Sequence, residues 1–452
     1  MYFLYRAPKS VLEPLSTRAI AEQYRKTVQM DVERAKEMSG ITFLLGENNM
    51  QIEEYEKLLT GSRRRVREVS LDTRRFLIDR IDWRDRLICI SGSRGTGKTT
   101  MLLQHMKETF RENPDQALYV SLDNLWFEAH PIADLVDIHY KNGGTHLFID
   151  EIHYLKNWKK TIKNLYDDYP GLYMVYTGSS LLRIDTEGVD LSRRQITYRL
   201  PGLSFREYLY FEGIMNIETL ALEELLGNHV CIAESIVSNT KILKHFMNYQ
   251  KGGYYPFYRE VYAGYEQRIQ QIVNQILESD YPAVESISYP TVQKIKKMLY
   301  ILAQSCPQTP NMAELYRELE TDRNQGLKML YILDRANLLN LLSTKEMPMK
   351  NMSRPDKIYC DNTNIMYAFT EMINTGTRRE TFFLNQLRSA GHDVRYPKQG
   401  DFLIDNRWLF EVGGRRKNYE QIRDISDSYL AIDGEEVGRG NKIPLWMFGF
   451  LY

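Results

Sequence analysis

Gly92-Ser93-Arg94-Gly95-Thr96-Gly97-Lys98-Thr99 sets glycines at the spacing of a P-loop and follows them with a lysine and a hydroxyl. Such glycines let the backbone curl so that successive amide N–H groups point at one anion. The helix that begins near Lys98 and continues through Thr100 turns the positive end of its dipole on the same anion. Lys98 adds a charge for terminal phosphates, and the Thr99 hydroxyl is a ligand for Mg²⁺. A glycine-rich turn alone would explain the glycines, but not Lys and Thr at the helix start. A second group, Leu147-Phe148-Ile149-Asp150-Glu151, runs three apolar residues into two carboxylates. Carboxylates ending a buried strand face the crevice where open α/β sheets bind ligands. Asp150 is expected to hold the Mg²⁺ shell with Thr99, and Glu151 to orient and deprotonate an attacking water.

Such residues need a sheet to hold them. Short apolar runs, RLICIS (86–91), ALYVSLD (117–123), HLFID (146–150) and LYMVYTG (172–178), alternate with segments whose apolar residues recur at helical spacing. That alternation predicts a parallel sheet with crossover helices, right-handed by default. Beyond Pro201 the pattern turns helical, through LSFREYLYF and a long segment from Ile217 to about Glu278. Residues 291–360 read as helix, helix, helix and a short wing, the order of a winged helix. The remainder opens with a helix, continues as the short strands VRY, DFLID and RWLFEVG, and ends with another helix and an apolar strand. The division expected is 1–49, an extension; 50–205, an α/β P-loop ATPase domain; 206–290, a helical lid or linker; 291–375, a winged-helix-like domain; and 376–452, a small α/β domain. Residues 1–49 supply few apolar positions for a packed stripe, and Met50 opens a better amphipathic segment, so Met50 is expected as the natural start.

At 452 residues, with 43% hydrophobic and 26% charged side chains, the composition is that of a soluble globular chain of about three domains. No apolar run reaches the roughly 20 residues a membrane span needs, and MYFLYRAPKS lacks the order of a secretory signal, so the expected compartment is the cytoplasm. Cys89, Cys231, Cys306 and Cys360 are too scattered for a zinc cluster or a disulfide framework and read as buried thiols. With 59 acidic and 59 basic residues there is no global field to attract nucleic acid. Attraction would have to be local, through Arg63, Arg64, Arg65 and Arg67 or through Arg415, Arg416 and Lys417. A basic run is first a solvated face, and nucleic-acid contact is the lesser reading.

Taken together, GSRGTGKTT, LFIDEIHYL, TGSSLL, SRR, LPGLSFREYL, GGYYPFY and GDFLID…FEVGG resemble a family of prokaryotic AAA-type ATPases that carry a nuclease-like C-terminal region. The resemblance covers roughly residues 53–452, and only its first two motifs are specific alone. It implies an AAA+-like core with ATP and Mg²⁺ as ligands; the absence of an Asn-Lys-x-Asp guanine-reading motif agrees with ATP. It implies a polar sensor where LYMVYTG runs into Thr177-Gly178-Ser179-Ser180, with Ser179 the first candidate and Thr177 the second. It also implies an arginine finger or phosphate sensor at Arg194, beside Arg193, with a surface ion pair the competing reading. An arginine acting in trans would require assembly and one acting in cis would not, so oligomeric state stays open.

In the C-terminal region Glu380, Asp401 and Glu411 follow the order of the restriction-endonuclease-like fold, in which three such acids and a Glu-x-Lys lysine form a Mg²⁺ site. Here the lysine position is Gly413, with Lys417 or Arg415 as substitutes from the next turn. An inactive fold that packs or grips nucleic acid is therefore expected ahead of a nuclease. Arg323-Asn324-Gln325-Gly326-Leu327-Lys328 would open a recognition helix, though Leu327, Leu330, Tyr331 and Leu338 also form a packing stripe. The aromatic turn 252–258 reads as the closure of a helical lid, and His153 and His392 as structural histidines. The function expected is Mg²⁺-dependent ATP hydrolysis coupled to movement of C-terminal parts that contact DNA or protein. The alternatives are an ATP-binding switch with negligible turnover and a nucleic-acid-processing protein.

Overall fold

The computed structural model describes residues 42–452 apart from 180–190, 192, 262, 286, 306–310, 345–353 and 421. The expectations for residues 1–41, Ser180 and Cys306 lie outside these. The chain divides between Thr60 and Gly61, and helix α1 spans Thr42–Glu68.

In the larger unit, β1 (Leu87–Ser91), β2 (Ala117–Ser121), β3 (His146–Asp150), β4 (Tyr173–Gly178) and β5 (Ile196–Arg199) form one parallel sheet in the order β2-β3-β4-β1-β5. The central strands are buried on both faces, which is why they read as continuous apolar runs rather than alternating ones. The ALYVS run intervenes in sequence between the two motifs but takes the sheet edge. It is β4 that separates β1 from β3, so the strand ends at Ser91, Asp150 and Gly178 converge on one rim. Helix α2 (Lys98–Thr109) buries Met101, Leu102 and Met106 against Ile88, Ile90, Phe148 and Val175, fixing where the P-loop must turn. Helices α3 (Ile132–Lys141) and α4 (Trp158–Asp168) complete the crossovers.

Helix α5 (Phe205–Phe211) starts at a reciprocal cap, Ser204 accepting from the Glu207 amide while Glu207 accepts from the Ser204 amide. From Phe205 a single hydrophobic core continues to Leu451, without a break at residues 290 or 375. It takes in α6 (Leu222–Val237), α7 (Ile242–Gly252), α8 (Tyr265–Gln275), a π-helix at Ile276–Asp280, α9 (Tyr289–Ser305), α10 (Met312–Glu318) and α11 (Arg323–Arg335). An antiparallel pair follows, β6 (Leu339–Leu342) with β7 (Lys357–Cys360), then α12 (Thr363–Phe369) and α13 (Thr375–Ser389). The last sheet has the order β12-β11-β10-β9-β8, from β8 (Val394–Arg395), β9 (Phe402–Ile404), β10 (Trp408–Gly414), β11 (Ser428–Asp433) and β12 (Lys442–Pro444). Two expectations fail here. The described residues of 415–427 form turns, not a helix, and the final apolar run is a short strand followed by a buried 3₁₀ helix at Leu445–Phe450. Aromatic and β-branched residues favour a strand, but Trp446, Phe448 and Phe450 are buried in succession with no strand partner, a tertiary override of local preference.

Asp361 lies fully buried where these parts meet, among Asn340, Asn362, Asn385 and the Tyr254 hydroxyl. Burial pushes its carboxyl up to about 6, against the opposing pull of the Asn362 amide and Arg199. Between roughly pH 4 and pH 6 the folded chain therefore holds a proton that the unfolded chain has released. Stability contributed by this group is lost as pH rises through that window, by about 3 kcal/mol in all, and changes no further above it. Asp361→Asn is expected to remove this loss, so denaturant unfolding should show the variant gaining on the wild type from pH 4 to pH 6. A difference independent of pH would contradict it.

Candidate nucleotide-binding site

The loop leaving β1 is anchored where the Gly92 amide donates to the Gly178 carbonyl at 3.3 Å. A side chain on Gly92 would strike the Leu200 carbonyl, so this approach admits glycine alone. Gly95 has φ +82° and lies under the Phe257 ring and Ile272, a Cβ there being 3.0 Å from Phe257. The Thr96 hydroxyl donates to the Ser93 carbonyl at 2.9 Å, and Ser93 Oγ accepts from Asn337 at 3.0 Å. Gly97 caps α2, and Thr100 is exposed on its first turn. Lys98 is buried inside the curl, its ammonium donating to the carbonyls of Gly92 at 2.9 Å and Ser93 at 3.0 Å. Burial pulls its pKa down, opposed by Glu151 and Asp150. Arg94 reaches the buried Asp280, at 2.8 Å.

Asp150 is buried and accepts from three hydroxyls: Thr99 at 2.6 Å, Tyr119 at 2.8 Å, and Thr177 through a short bond. The two residues expected to hold Mg²⁺ are thus in direct contact. A hydroxyl and one carboxylate suit this ion, which completes its octahedron with water and phosphate oxygens rather than with an all-protein cage. Glu151 adopts the left-handed conformation, φ 54° and ψ 48°, uncommon for a residue with a side chain. Burial raises its pKa, opposed chiefly by Lys98. Its amide donates to the Thr177 hydroxyl at 3.1 Å, so Thr177 links both acids, while Ser179 is buried just beyond β4. A cavity of about 500 Å³ opens beside Gly97 and Thr100, walled by Ser70, Thr73, Gln104, Pro256 and Arg259.

Other expected residues are not gathered here. Arg194 precedes β5 as Arg86 precedes β1, at the rim opposite the P-loop, and it pairs with Asp167 at 3.0 and 3.2 Å. Parallel pairing of β1 and β5 fixes Arg194 at their N-terminal ends, whereas the P-loop leaves the C-terminal end of β1, so this placement does not bring Arg194 to the P-loop. The three C-terminal acids also fail to converge. Glu380 and Asp401 meet around the Lys357 ammonium, 3.6 Å from each. Glu411 shares the face of Leu409, opposite Phe410 and Val412, and pairs with Lys417 at 3.0 Å. Lys417 lies against Gly413, where a Cβ would come 2.7 Å from it, so a side chain from the next turn fills the missing lysine's place. His392 bonds Asp405 at 2.7 Å, the structural role expected.

Sequence reasoning missed Tyr119, Arg75 and Asp280. Arg75, buried ahead of β1, reaches both Glu207 and the Thr96 carbonyl of the P-loop. The Ser-x-x-Glu capping signature at Ser204–Glu207 marked one end of that bridge, but nothing local marked the other.

Residues 84–209 match the model of a family described as an AAA domain. Two curated relatives are uncharacterized proteins of Methanocaldococcus jannaschii. MJ1637 is 26% identical over 404 residues, covering 81% of this chain and 84% of that protein; MJ1544 is 24% identical, covering 74% and 71%. Among solved structures, a DNA replication initiation factor is 15% identical, with a TM-score of 0.25, over 57% of this chain and 90% of that one. AMPPCP-bound DnaA from Aquifex aeolicus is 16% identical, with a TM-score of 0.24, over 54% and 80%. Scores this low carry nothing further. Residues 84–209 thus match an AAA domain, and their parallel five-stranded sheet fits a P-loop NTPase fold.

Proposed function

We propose that this protein binds ATP with Mg²⁺ and hydrolyses it. The observation that carries the reading is the 2.6 Å contact between Thr99 and Asp150 beneath the P-loop, with Glu151 next in the chain. In this reading the amides of residues 93–99 and Lys98 hold the phosphates, Thr99 and Asp150 hold the ion, and Ser179 senses the γ-phosphate, with Thr177 the second candidate. When bound, the ion shields charge that builds on the phosphates. Glu151 takes the proton of the attacking water. The cavity beside Gly97 and Thr100 has room for the nucleoside. Arg194 serves only in trans, if a second copy presents it.

The parts beyond α5 are read as the elements that move. Helices α9, α10 and α11 with the β6–β7 pair follow the order of a winged helix, and Arg323, Asn324 and Gln325 are exposed where α11 begins. The last sheet is read as a nuclease-like fold whose metal site has been replaced by the Lys357 and Lys417 ion pairs. Both would grip a DNA or protein partner rather than cut it.

Titration with labelled ATP and Mg²⁺ tests the core of this reading. Lys98→Ala is expected to weaken saturable binding roughly 10- to 100-fold, the worth of a charge-assisted hydrogen bond of about 1.5–3 kcal/mol. Uptake unaffected by that substitution, with folded protein, would remove the site.

A further inference from the structure

The His153 side chain is fully buried, yet neither ring nitrogen makes a well-aligned hydrogen bond among the described residues. It stands between two carboxylates. Nδ1 is 3.4 Å from Glu151 Oε2, and Nε2 is 3.7 Å from Asp280 Oδ1. Asp280 is itself buried, closes the π-helix Ile276–Asp280, and accepts from Arg94 of the P-loop at 2.8 and 3.1 Å. One residue earlier, Ser279 Oγ is 3.2 Å from the Tyr154 hydroxyl, a second tie between the π-helix and the segment that follows Glu151. A π-turn gives up regular helical bonding, and such turns recur at functional sites. A buried polar ring held at 3.4 Å without alignment on one side and at 3.7 Å on the other costs free energy that packing alone does not recover. A small reorientation would align Nδ1 with Glu151 and a closer approach would bring Nε2 to Asp280, and catalytic contacts commonly tighten when substrate binds.

We propose that His153 is a positioning residue for Glu151. Nδ1 holds the Glu151 carboxylate toward the water site. Nε2 ties that arrangement to Asp280, and through Arg94 to the P-loop, so the loop, the base and the π-helix respond to nucleotide together. The inference rests on the ATPase reading and deepens it. An ordinary buried histidine would affect folding alone.

Two substitutions separate these roles, because the asparagine amide falls near Nδ1 and the glutamine amide near Nε2. His153→Asn is expected to keep phosphate release near the wild-type rate, whereas His153→Gln should lower kcat about 10- to 100-fold, as a misplaced reacting group does, with little change in Mg·ATP affinity. Adding His153→Gln to Glu151→Gln should then lower the rate no further. Equal rates for the Asn and Gln variants, the reverse order, or an additive loss in the double variant would overturn the proposal. Hydrogen exchange reads the coupling without turnover. A non-hydrolysable ATP analogue with Mg²⁺ should alter exchange at residues 276–281 in the wild type and less in His153→Asn, which keeps an amide at the Nδ1 position but has none at Nε2. The analogue binding with no such change overturns the coupling, while no binding at all overturns the ATPase reading itself.

Discussion

Replacing Glu151 with glutamine is expected to slow phosphate release by about 10²- to 10⁴-fold, the usual worth of a positioned general base. Glutamine matches the carboxylate in size and accepts a hydrogen bond from water, but it cannot take a proton. Asp150 and Thr99 would remain in contact, and Lys98 would keep its carbonyl partners, because neither bond involves Glu151. Binding of Mg·ATP should therefore survive. Removing a negative charge that competes with phosphate for Lys98 would strengthen it if anything. The sign pattern, slow turnover with retained binding, distinguishes this substitution from Lys98→Ala, which acts on affinity. Equal phosphate release from wild type and Glu151→Gln would remove Glu151 as base and leave the non-hydrolysing switch in its place.

The chemistry of this site was legible because it is local. A P-loop is one uninterrupted turn from strand to helix, and Asp150 and Glu151 follow directly on a strand whose three apolar residues announce its burial. Period and turn chemistry also placed β1 to β4 closely. What the sequence did not disclose is long-range. Arg75 is far along the chain from Glu207, and Asp280 from both Arg94 and His153, so no spacing rule links them. The resemblance puts Ser179 ahead of Thr177 as the sensor, and local sequence does not tell the two strand-end hydroxyls apart. Only the fold shows that Thr177 bonds Asp150 and the Glu151 amide. Arg194 was drawn toward the phosphates by its motif, whereas strand direction sets it at the other rim. For the C-terminal acids, chain order was read correctly, but alternation along β10 turns Glu411 to the face away from Glu380. Order in sequence fixes neither face nor register.

The largest structural effect is expected at the Arg75–Glu207 pair. Both side chains are buried, and the guanidinium bonds the carboxylate through Nε at 2.8 Å and Nη2 at 3.0 Å. Arg75 also donates to the carbonyls of Thr96, Pro201 and Gly202, while Glu207 accepts from the amides of Phe76 and Ser204. Burial alone would raise the Glu207 pKa, but Arg75, the Phe76 amide and Arg206 together outweigh it and the net shift is downward. The ionised pair thus stabilises the fold above the ordinary glutamate pKa and loses that contribution as pH falls through the lowered value. Arg75→Ala or Glu207→Ala leaves the other charge buried without its partner, a loss of about 3–5 kcal/mol in denaturant unfolding near neutral pH. The double substitution should cost clearly less than the sum, since no lone charge is left behind. Arg75→Ala should in addition weaken Mg·ATP binding, because it frees the Thr96 carbonyl in the P-loop, whereas Glu207→Ala leaves that bond available. Strict additivity of the two stability losses would show that the charges act separately and that the pair does not lock the segment before β1 to the loop and to α5.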